Sequence, residues 1–502
     1  MAASVVFSLG YATAAARSRR AAKVLIPLLD VLQSVPVLGF LSVTMTIWLA
    51  LFPTTELGIE LASVFAIFTS QVWNMTFAFY QSLVTQPRDL DEVARLLRLT
   101  RWQRFWRLDV PHGVIPLTWN GMMSFGGGWF FLVASEVISV NNETFALPGI
   151  GAYVAAASEQ EQIGRLLLAI VTMICMILVV DVVFWRPLTA WMERFRGGDT
   201  GPAEPQRSIV LDLLRRSNLP RLLGRALRPA GWLLDRITRV FGVTDRPLHV
   251  DAARRRIGDT VFTVVVLALL AWGLVEMLLY IEMRTGLGEV VVATGLGLVT
   301  FGRVVILLVV ASIVWVPVGL WIGLDPTVTR IAQPVVQVLA SFPANFLFPF
   351  VTLLLLHTGI GIDAGGIVLM ALGSQWYILF NVIAGASAIP DDLREAATML
   401  RLGRRQRWRT LYLPAVFGSW VTGAVTAAGG AWNASIVAEI VSYGGHTLEA
   451  TGLGAYIARA TETGDAARTL VGVAVMSLFV VGLNRVFWHR LYALAASRFS
   501  LT

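Results

Sequence analysis

Two segments of the chain repeat one pattern of acidic, apolar and basic side chains, and the pattern is typical of a docking surface. Each has a glutamate followed 19 residues later by a proline, Glu92 with Pro111 and Glu395 with Pro414. Aspartates precede both glutamates, and we expect them to cap a short helix, because negative side chains stabilise a helix N-terminus. Leucine or methionine side chains then give that helix an apolar face, and arginines follow. The chemistry that this pattern supports is recognition of another protein.

Catalytic chemistry is not indicated by the sequence. The five histidines and the single cysteine, Cys175, are scattered, so we expect no metal-ligand or nucleophile cluster. No phosphate loop of the form GxxxxGKS or GxxxxGKT occurs, so the chain itself is not expected to hydrolyse ATP. We therefore predict no catalytic residue, no metal site and no cofactor bound by this chain.

The composition predicts an all-α membrane protein. Hydrophobic residues fill 56% of the 502 positions and charged residues 14%, whereas soluble domains carry about 25% charged residues. A helix needs about 20 apolar residues to cross a bilayer, and ten full spans are predicted, with Met1–Ala16 as a fragment too short to cross alone. The predicted spans are Val37–Phe52, Leu57–Leu83, Val114–Ile138, Arg165–Trp185, Thr260–Ile281, Gly297–Gly323, Ile331–His357, Gly365–Ala386, Ala415–Val441 and Thr469–Trp488.

The basic residues give the orientation of these spans. The formal net charge is +8, but the arginines gather between apolar runs, as the positive-inside rule describes for cytoplasmic loops. This distribution argues against nucleic-acid binding and for a lipid bilayer as the surroundings. The segments predicted to be cytoplasmic are Arg17–Lys23, Arg88–Arg107, Arg186–Arg256 and Arg394–Arg409.

An internal repeat links the two acidic segments. Trp73 and Glu136 recur as Trp376 and Glu439, at the same offset of 303 residues that relates the two glutamates above. Six predicted spans separate the two copies, and six is even, so both repeats have the same orientation in the membrane. The repeats are therefore parallel and pseudo-symmetric, with a central path between them.

We predict three regions along the chain: a first repeat at 1–196, a cytoplasmic linker at 197–255 and a second repeat with six spans at 256–502. The linker opens with helix-breaking glycines and prolines. Its leucines and arginines then recur at helical spacing, which favours a basic amphipathic element on the anionic membrane surface, with a solvated connector as the alternative. The first repeat is short, so either it is truncated or its true start lies upstream of Met1.

The second acidic segment resembles a known motif. Glu395-Ala396-Ala397 followed by Leu413-Pro414 is similar to the EAA motif of ATP-binding-cassette importer permeases. The resemblance is to the nitrate, sulfonate, taurine and bicarbonate branch, which includes duplicated (fused) permeases. It implies two parallel type I importer repeats, each with a coupling helix that docks in a groove of the cytosolic ATPase. By this resemblance the ATPase-coupling residues are Glu92, Val93, Ala94, Leu97, Arg98, Glu395, Ala396, Ala397, Leu400 and Arg401.

One position departs from the family pattern in both copies. The family usually has a glycine six residues after the glutamate, where this chain has Arg98 and Arg401. Val93 also stands where the family has alanine. Because both copies carry the arginine, we interpret it as a feature of a subtype.

Polar and aromatic residues inside the spans are candidates for a transport path, since polar groups in lipid are costly and often functional. Plain helix packing is the alternative for the tryptophans beside glycines, and capping of a loop is the alternative for the two glutamates near the external ends. We also expect Pro36 and Pro343 to break their helices. The predicted path residues are Gln71, Trp73, Trp129, Glu136, Gln375, Trp376, Trp432, Asn433 and Glu439.

The resemblance implies the partners and the energy source. We expect the chain to lie in the cytoplasmic membrane and to move a small anion that an extracytoplasmic substrate-binding protein delivers. Two ATP-binding-cassette ATPase subunits would bind the coupling segments and use ATP and Mg²⁺. The alternative is a secondary transporter driven by an ion gradient, which predicts paired intramembrane acids or mid-span breaks and no duplicated docking motif.

Overall fold

The computed structural model describes residues 1–52, 57–140, 143–192, 195, 209–217, 225, 228–229, 231–234, 236–237 and 252–499. Most of the predicted linker at 197–255 lies outside these described residues. The described part of the chain is predominantly helical, which confirms the predicted all-α class.

Among the described residues, ten α-helices lie in the region of the first repeat and twelve in that of the second. The first ten are α1 Ala2–Arg17, α2 Arg19–Ser34, α3 Val37–Leu51, α4 Leu57–Val84, α5 Arg88–Leu96, α6 Arg101–Arg104, α7 Val110–Glu136, α8 Ile150–Glu159, α9 Ile163–Val180 and α10 Arg186–Met192. Helix α11, Ile209–Arg216, belongs to the linker. The last twelve are α12 Ala252–Arg284, α13 Gly288–Gly323, α14 Pro326–Ser341, α15 Phe348–Thr358, α16 Ile362–Ser374, α17 Trp376–Ser387, α18 Asp391–Met399, α19 Arg404–Arg407, α20 Leu413–Ala438, α21 Leu453–Glu462, α22 Ala466–Leu483 and α23 His489–Arg498.

The second half of each repeat has the same elements at the predicted offset of 303 residues, from α5 and α18 onward. Short π-helical turns follow the same rule at Phe105–Asp109 and Trp408–Tyr412, and again at Asp181–Trp185 and Asn484–Trp488. The first pair lies directly before Pro111 and Pro414, which donate no backbone hydrogen bond and so favour a widened turn. The repeat inferred from a few matching residues thus extends to local irregularities of the backbone.

Each repeat also contains a β-hairpin that the sequence did not predict. Strands β1 (Val137–Val140) and β2 (Glu143–Ala146) pair antiparallel, as do β3 (Ile440–Tyr443) and β4 (His446–Glu449). The predicted spans Val114–Ile138 and Ala415–Val441 were therefore too long at their C-terminal ends. Val and Ile after each glutamate are compatible with either structure, so apolarity alone extended the helices into the strands.

Five helical segments are long and apolar enough to cross a membrane: Ile163–Met192, Gly258–Arg284, Gly288–Gly323, Arg404–Ala438 and Ala466–Ala495. Two bent helix pairs raise the number among the described residues to seven if each pair is one span. The other three of the ten predicted spans also lie on helices, namely α3, α4 and α7. Helix α3 has only 15 residues, fewer than a perpendicular crossing needs.

The bent pairs divide two of the predicted spans, Ile331–His357 and Gly365–Ala386, into two helices each. Helices α14 and α15 meet at 83°, and α16 and α17 at 43°. The sharper bend follows from Pro343, because a proline restricts the residue before it to extended backbone, and Phe342 has φ −75° and ψ 127°. In the first repeat, Pro36 likewise separates α2 from α3. The predicted helix breaks at both prolines are therefore confirmed.

The chain forms two compact units that do not follow the repeat boundaries. One unit contains residues 1–32, 68–125 and 175–276. Its core includes Ala12, Met75, Phe79, Leu83 and Leu117, where α1 packs against α4 and α7. The helix predicted as an N-terminal fragment is thus an integral part of this unit.

The other unit contains residues 33–67, 126–174 and 277–502, so it joins parts of both repeats. Its core runs from Val37 and Met45 of α3 to Trp432 of α20 and Val475 of α22. Hydrogen bonds also cross between the repeats here: the Val37 N–H donates to Asn433 Oδ1 at 2.9 Å, and Asn345 Nδ2 donates to the Phe130 carbonyl at 3.3 Å. Each of these two hydrogen bonds therefore joins a residue of the first repeat to a residue of the second.

Candidate coupling segments and transport path

The two predicted coupling segments form short helices of nine residues each, α5 and α18. Proline, not aspartate, is the N-cap residue in both helices, and no N-cap side chain forms a hydrogen bond with the first turn. The expected capping by aspartates is therefore wrong. Asp89 and Asp91, like Asp391 and Asp392, lie instead in the first turn, where negative charge still opposes the positive end of the helix dipole.

Both helices end in the same left-handed turn. Arg98 has φ 47° and Arg401 has φ 49°. The Leu99 N–H donates to the Ala94 carbonyl at 3.0 Å, and the Leu402 N–H donates to the Ala397 carbonyl at 3.1 Å. This is a Schellman motif, whose left-handed residue is most often glycine because a β-carbon is disfavoured there. The backbone thus explains why the family has glycine at this position, and both arginines occupy it in spite of that preference.

Each coupling segment exposes large apolar side chains beside its glutamate. Leu96 is 82% exposed and Leu97 65%, and their counterparts Met399 and Leu400 are 81% and 72% exposed. Glu92, Val93 and Arg98 are also exposed, as are Glu395, Ala396 and Arg401. Two adjacent apolar side chains in water are costly unless another surface covers them. The exposed set fits a docking face on each segment.

Small buried residues hold this face in place. Ala94 and Ala397 are 1% and 5% exposed and lie on the inner side of their helices. Leu99, which was expected to belong to the apolar docking face, is also buried. The alanine of the motif therefore packs against the rest of the protein. The glutamate and the two large apolar residues near the end of each helix face outward.

A cluster of ion pairs anchors the first coupling segment. Arg104 pairs with Asp91, Arg17 pairs with Asp109, and Arg104 Nε lies 3.7 Å from Asp109 Oδ1. Asp109 and Arg104 are buried, so Arg104 holds the segment from the inside and is not part of its exposed docking face. Because Arg17 ends α1 and Asp91 belongs to α5, the cluster fastens the coupling helix to the first helix of the chain.

The second coupling segment has a different anchor. Arg394, the counterpart of Asp91, donates to the Leu324 carbonyl at 2.9 Å and pairs with Asp391 at 3.2 Å. Leu324 follows α13 directly and corresponds to Arg17 at the offset of 307 that relates Pro27 to Pro334. Arg407, the counterpart of Arg104, donates to the Leu402 carbonyl at 2.9 Å. The second anchor therefore relies on backbone carbonyls where the first relies on carboxylates.

The two predicted external glutamates cap the helices that follow the hairpins. Glu439 Oε2 accepts a hydrogen bond from the Ala455 N–H at 3.0 Å, and Glu136 Oε2 accepts one from the Gly151 N–H. A β-carbon at Gly149 or Gly452 would overlap the carboxylate of the corresponding glutamate. Glycine at the start of α8 and α21 thus allows the close approach that the two caps require.

Arg303, which was not among the predicted site residues, completes the second of these caps. Its Nη1 lies 2.8 Å from Glu439 Oε1, and Thr300 Oγ1 donates to the same oxygen at 2.8 Å. Its Nε donates to the Asp363 carbonyl at 3.0 Å, which ties in α16. A single arginine within the apolar run of α13 was the available signal, because a charge inside a span needs a partner.

The path residues predicted in the second repeat lie in three places. Trp432 is buried between Phe301 and Phe479 within the core of its own repeat. Gln375 Oε1 accepts from Trp315 Nε1 at 2.9 Å, and the Trp315 ring packs on Trp376. Asn433 contacts the other repeat through the Val37 N–H, while Glu439 lies at the outer cap described above.

The path residues predicted in the first repeat lie on α4 and α7. Gln71 is buried and accepts from Ser4 Oγ at 3.5 Å. Trp73 packs edge-on against Phe7. Trp129 is half-buried on α7. Ser4 and Phe7 belong to α1, so α1 packs against α4. In the second repeat, the C-terminal part of α13 packs against α17 in the same way.

The family model described as binding-protein-dependent transport system inner membrane component matches residues 7–185 and again 315–498. Since the two matches cover most of the chain, the protein belongs to this family and contains its domain twice. It is a multi-pass component of the cytoplasmic membrane and a transport component rather than a catalytic enzyme.

Individual relatives point to one branch of that family. The chain is 27% identical over 194 residues to the nitrate import permease protein NrtB of Synechococcus elongatus, covering 38% of this chain and 66% of that protein. It is 26% identical over 176 residues to the taurine transport system permease protein TauC of Escherichia coli, covering 35% and 60%. It is 29% identical over 147 residues to the bicarbonate transport system permease protein CmpB of Synechocystis sp., covering 29% and 51%. The chain thus spans about half to two thirds of each of these three relatives.

Proposed function

We propose that the chain is the membrane permease of an ATP-driven importer, with both permease domains of the transporter on one polypeptide. The observation that carries this proposal is the pair of coupling segments. Each has the same nine-residue helix, the same left-handed turn and the same exposed glutamate beside two exposed apolar side chains. Two equal docking faces fit two ATPase subunits, and ATP and Mg²⁺ would be bound by those subunits.

The proposed substrate is a small anion, delivered by an extracytoplasmic substrate-binding protein. The names of the nitrate, taurine and bicarbonate relatives support this class, because all three substrates carry an anionic oxygen group. An ion-gradient mechanism has less support, since it gives no reason for two matched docking faces.

Recruitment of the ATPase tests the proposal. In the double variant Glu92→Arg and Glu395→Arg, charge reversal on both faces should abolish co-purification of an ATP-binding-cassette ATPase and ATP-dependent uptake. Leu97→Asp with Leu400→Asp should have the same effect, because a charge replaces the apolar contact on each face.

The matched control is Glu462→Arg, which reverses another exposed glutamate at the end of α21, away from both coupling segments. It should leave recruitment and uptake unchanged. Uptake that persists in both double variants, with normal protein abundance, would contradict the proposal.

A further inference from the structure

Tyr377 lies where helices from the two repeats meet. It is the second residue of α17, and its hydroxyl is 3.5 Å from where a β-carbon of Gly127, on α7 of the first repeat, would stand. The Tyr377 ring is equally close, 3.5 Å, to the corresponding position of Gly430 on α20. A β-carbon at either glycine would stand at ordinary van der Waals distance from the tyrosine, so Tyr377 packs against α7 of the first repeat and α20 of the second.

The Tyr377 hydroxyl has no hydrogen-bond partner among the described residues, although the side chain is mostly buried. Neighbouring polar groups do have partners: Trp376 Nε1 donates to the Leu372 carbonyl and Asn381 Nδ2 to the Tyr377 carbonyl, both at 2.8 Å. A hydroxyl away from bulk water costs free energy unless water or a ligand satisfies it. The hydroxyl is therefore a free donor at the seam between the repeats.

The α20 surface around Gly430 is polar. Thr422, Thr426, Gly429 and Asn433 follow one another at helical spacing on one face, and none of the four is fully buried. Both threonine hydroxyls donate to carbonyls of their own helix, at 3.1 and 3.0 Å, and the Thr422 oxygen also accepts from the Tyr492 hydroxyl at 3.4 Å. A polar face inside a long apolar span lines a hydrated passage more readily than a lipid contact.

The first repeat has a polar residue at the same position. Asn74 corresponds to Tyr377 at the offset of 303 and is exposed on α4. Both repeats therefore carry a neutral hydrogen-bond donor at one position of a predominantly apolar helix. A neutral donor binds an anion weakly enough to release it, which transport requires.

We propose that Tyr377 lines the transport path and donates its hydroxyl hydrogen to the passing anion. This inference rests on the proposed function, which makes a small anion the substrate, and it names a residue that contacts this substrate. It does not depend on the coupling segments, so the two proposals are tested by different variants.

Accessibility of an introduced cysteine tests the position of Tyr377. Cys175 is the only native cysteine, so Cys175→Ser gives a background without thiols. On this background, Tyr377→Cys should react with an anionic sulfonatoethyl methanethiosulfonate in the purified, lipid-reconstituted full chain. The rate with each reagent is divided by the rate of a free thiol with the same reagent. This ratio should be at least about tenfold higher for the anionic reagent than for the cationic trimethylammonium analogue, as expected where the electrostatic potential favours anions.

The matched control is Ser374→Cys on the same background, one turn earlier and fully buried. It should react at least tenfold more slowly than the cysteine at 377. Equal rates at the two positions, or a preference for the cationic reagent at position 377, would overturn the proposal.

Tyr377→Phe tests the hydroxyl itself, because it removes one oxygen and keeps the ring. Uptake of labelled nitrate, taurine and bicarbonate should show a KM raised about tenfold for the transported anion, the loss of one hydrogen bond to a charged ligand. Protein abundance and ATPase recruitment should stay unchanged. An unchanged KM contradicts the role of the hydroxyl, and lost recruitment contradicts its restriction to the path. If none of the three anions is taken up, the substrate class of the proposed function is wrong. The hydroxyl then has no role in moving these anions, even if the cysteine at position 377 reacts as expected.

Discussion

The two repeats keep one backbone but hold it with different side chains. At the coupling segments, the first repeat uses ion pairs of Asp91 and of buried Asp109 with buried Arg104, and the second uses an arginine that donates to a carbonyl. At the outer caps the difference is reversed, because Glu439 pairs with Arg303, whereas no ion pair to Glu136 occurs in the described part of the chain. The lesson is that the geometry of the caps and turns is shared, while each repeat stabilises it by its own means.

The largest expected effect comes from breaking the outer cap of the second repeat. Arg303→Met leaves Glu439 buried without its cation, and removal of one partner from a buried pair costs about 3 kcal/mol or more. The free energy of unfolding, measured by titration with sodium dodecyl sulfate in mixed micelles, should fall by about this amount.

Two further variants make this measurement specific. Arg459→Met removes an exposed arginine from its pair with Glu449 and should change the unfolding free energy by less than about 0.5 kcal/mol. Adding Glu439→Gln to Arg303→Met should recover part of the loss, since no unpaired charge remains buried. A double variant no more stable than the single would show that the arginine acts through packing.

The next effect tests the ionic anchor of the first coupling segment. Asp109→Asn removes the carboxylate that Arg17 and Arg104 share and should cost about 2 kcal/mol, because Arg104 is buried. Trypsin should then cut within residues 88–107 faster, since this anchor no longer holds α5. The control is Tyr412→Phe at the corresponding position of the second repeat. Equal sensitivity of both coupling segments to trypsin would mean that the cluster does not anchor the first one.

The repeat and the two short helices α5 and α18 could be predicted because each rests on residues that recur at a fixed spacing. The breaks at Pro36 and Pro343 were predictable for a local reason, since proline restricts the residue before it. The hairpins were not, because Val137 and Ile440 suit a strand or an apolar helix equally. Arg303 pairs with a residue 136 positions away and has no counterpart in the first repeat, so neither spacing nor self-comparison indicated its partner.

The candidate path shows a second limit of sequence reasoning. Paired tryptophans beside glycines predicted path residues, but Trp432 lies in the core of its repeat, and of its glycine neighbours only Gly430 approaches Tyr377. Self-comparison selects positions that are identical in both repeats. Tyr377 and Asn74 differ in identity and share only polarity, so a comparison of identical pairs did not select Tyr377.

A smaller effect is expected at the anchor of the second coupling segment. Arg394→Met removes the hydrogen bond to the Leu324 carbonyl and the pair with Asp391 and should cost about 1 kcal/mol, because both are partly in water. Arg404→Met, an exposed arginine just beyond the segment, is the control and should be close to neutral. A loss as large as that of Asp109→Asn would mean that the two anchors are equally strong despite their different chemistry.

The smallest effect concerns the turn that both segments share. Arg98→Gly and Arg401→Gly should each raise the unfolding free energy by about 0.5 kcal/mol. Glycine adopts positive φ without the steric cost of a β-carbon. Part of this gain is offset because glycine also gives the unfolded chain more conformational freedom. ATPase recruitment, measured on the same variants, separates two reasons for the arginines. Higher stability with unchanged recruitment means that the side chains are dispensable. Higher stability with weaker recruitment means that the exposed guanidinium groups contact the ATPase, and that this contact outweighs the strain of the turn in both repeats. Lower stability would contradict the assignment of strain to these two positions.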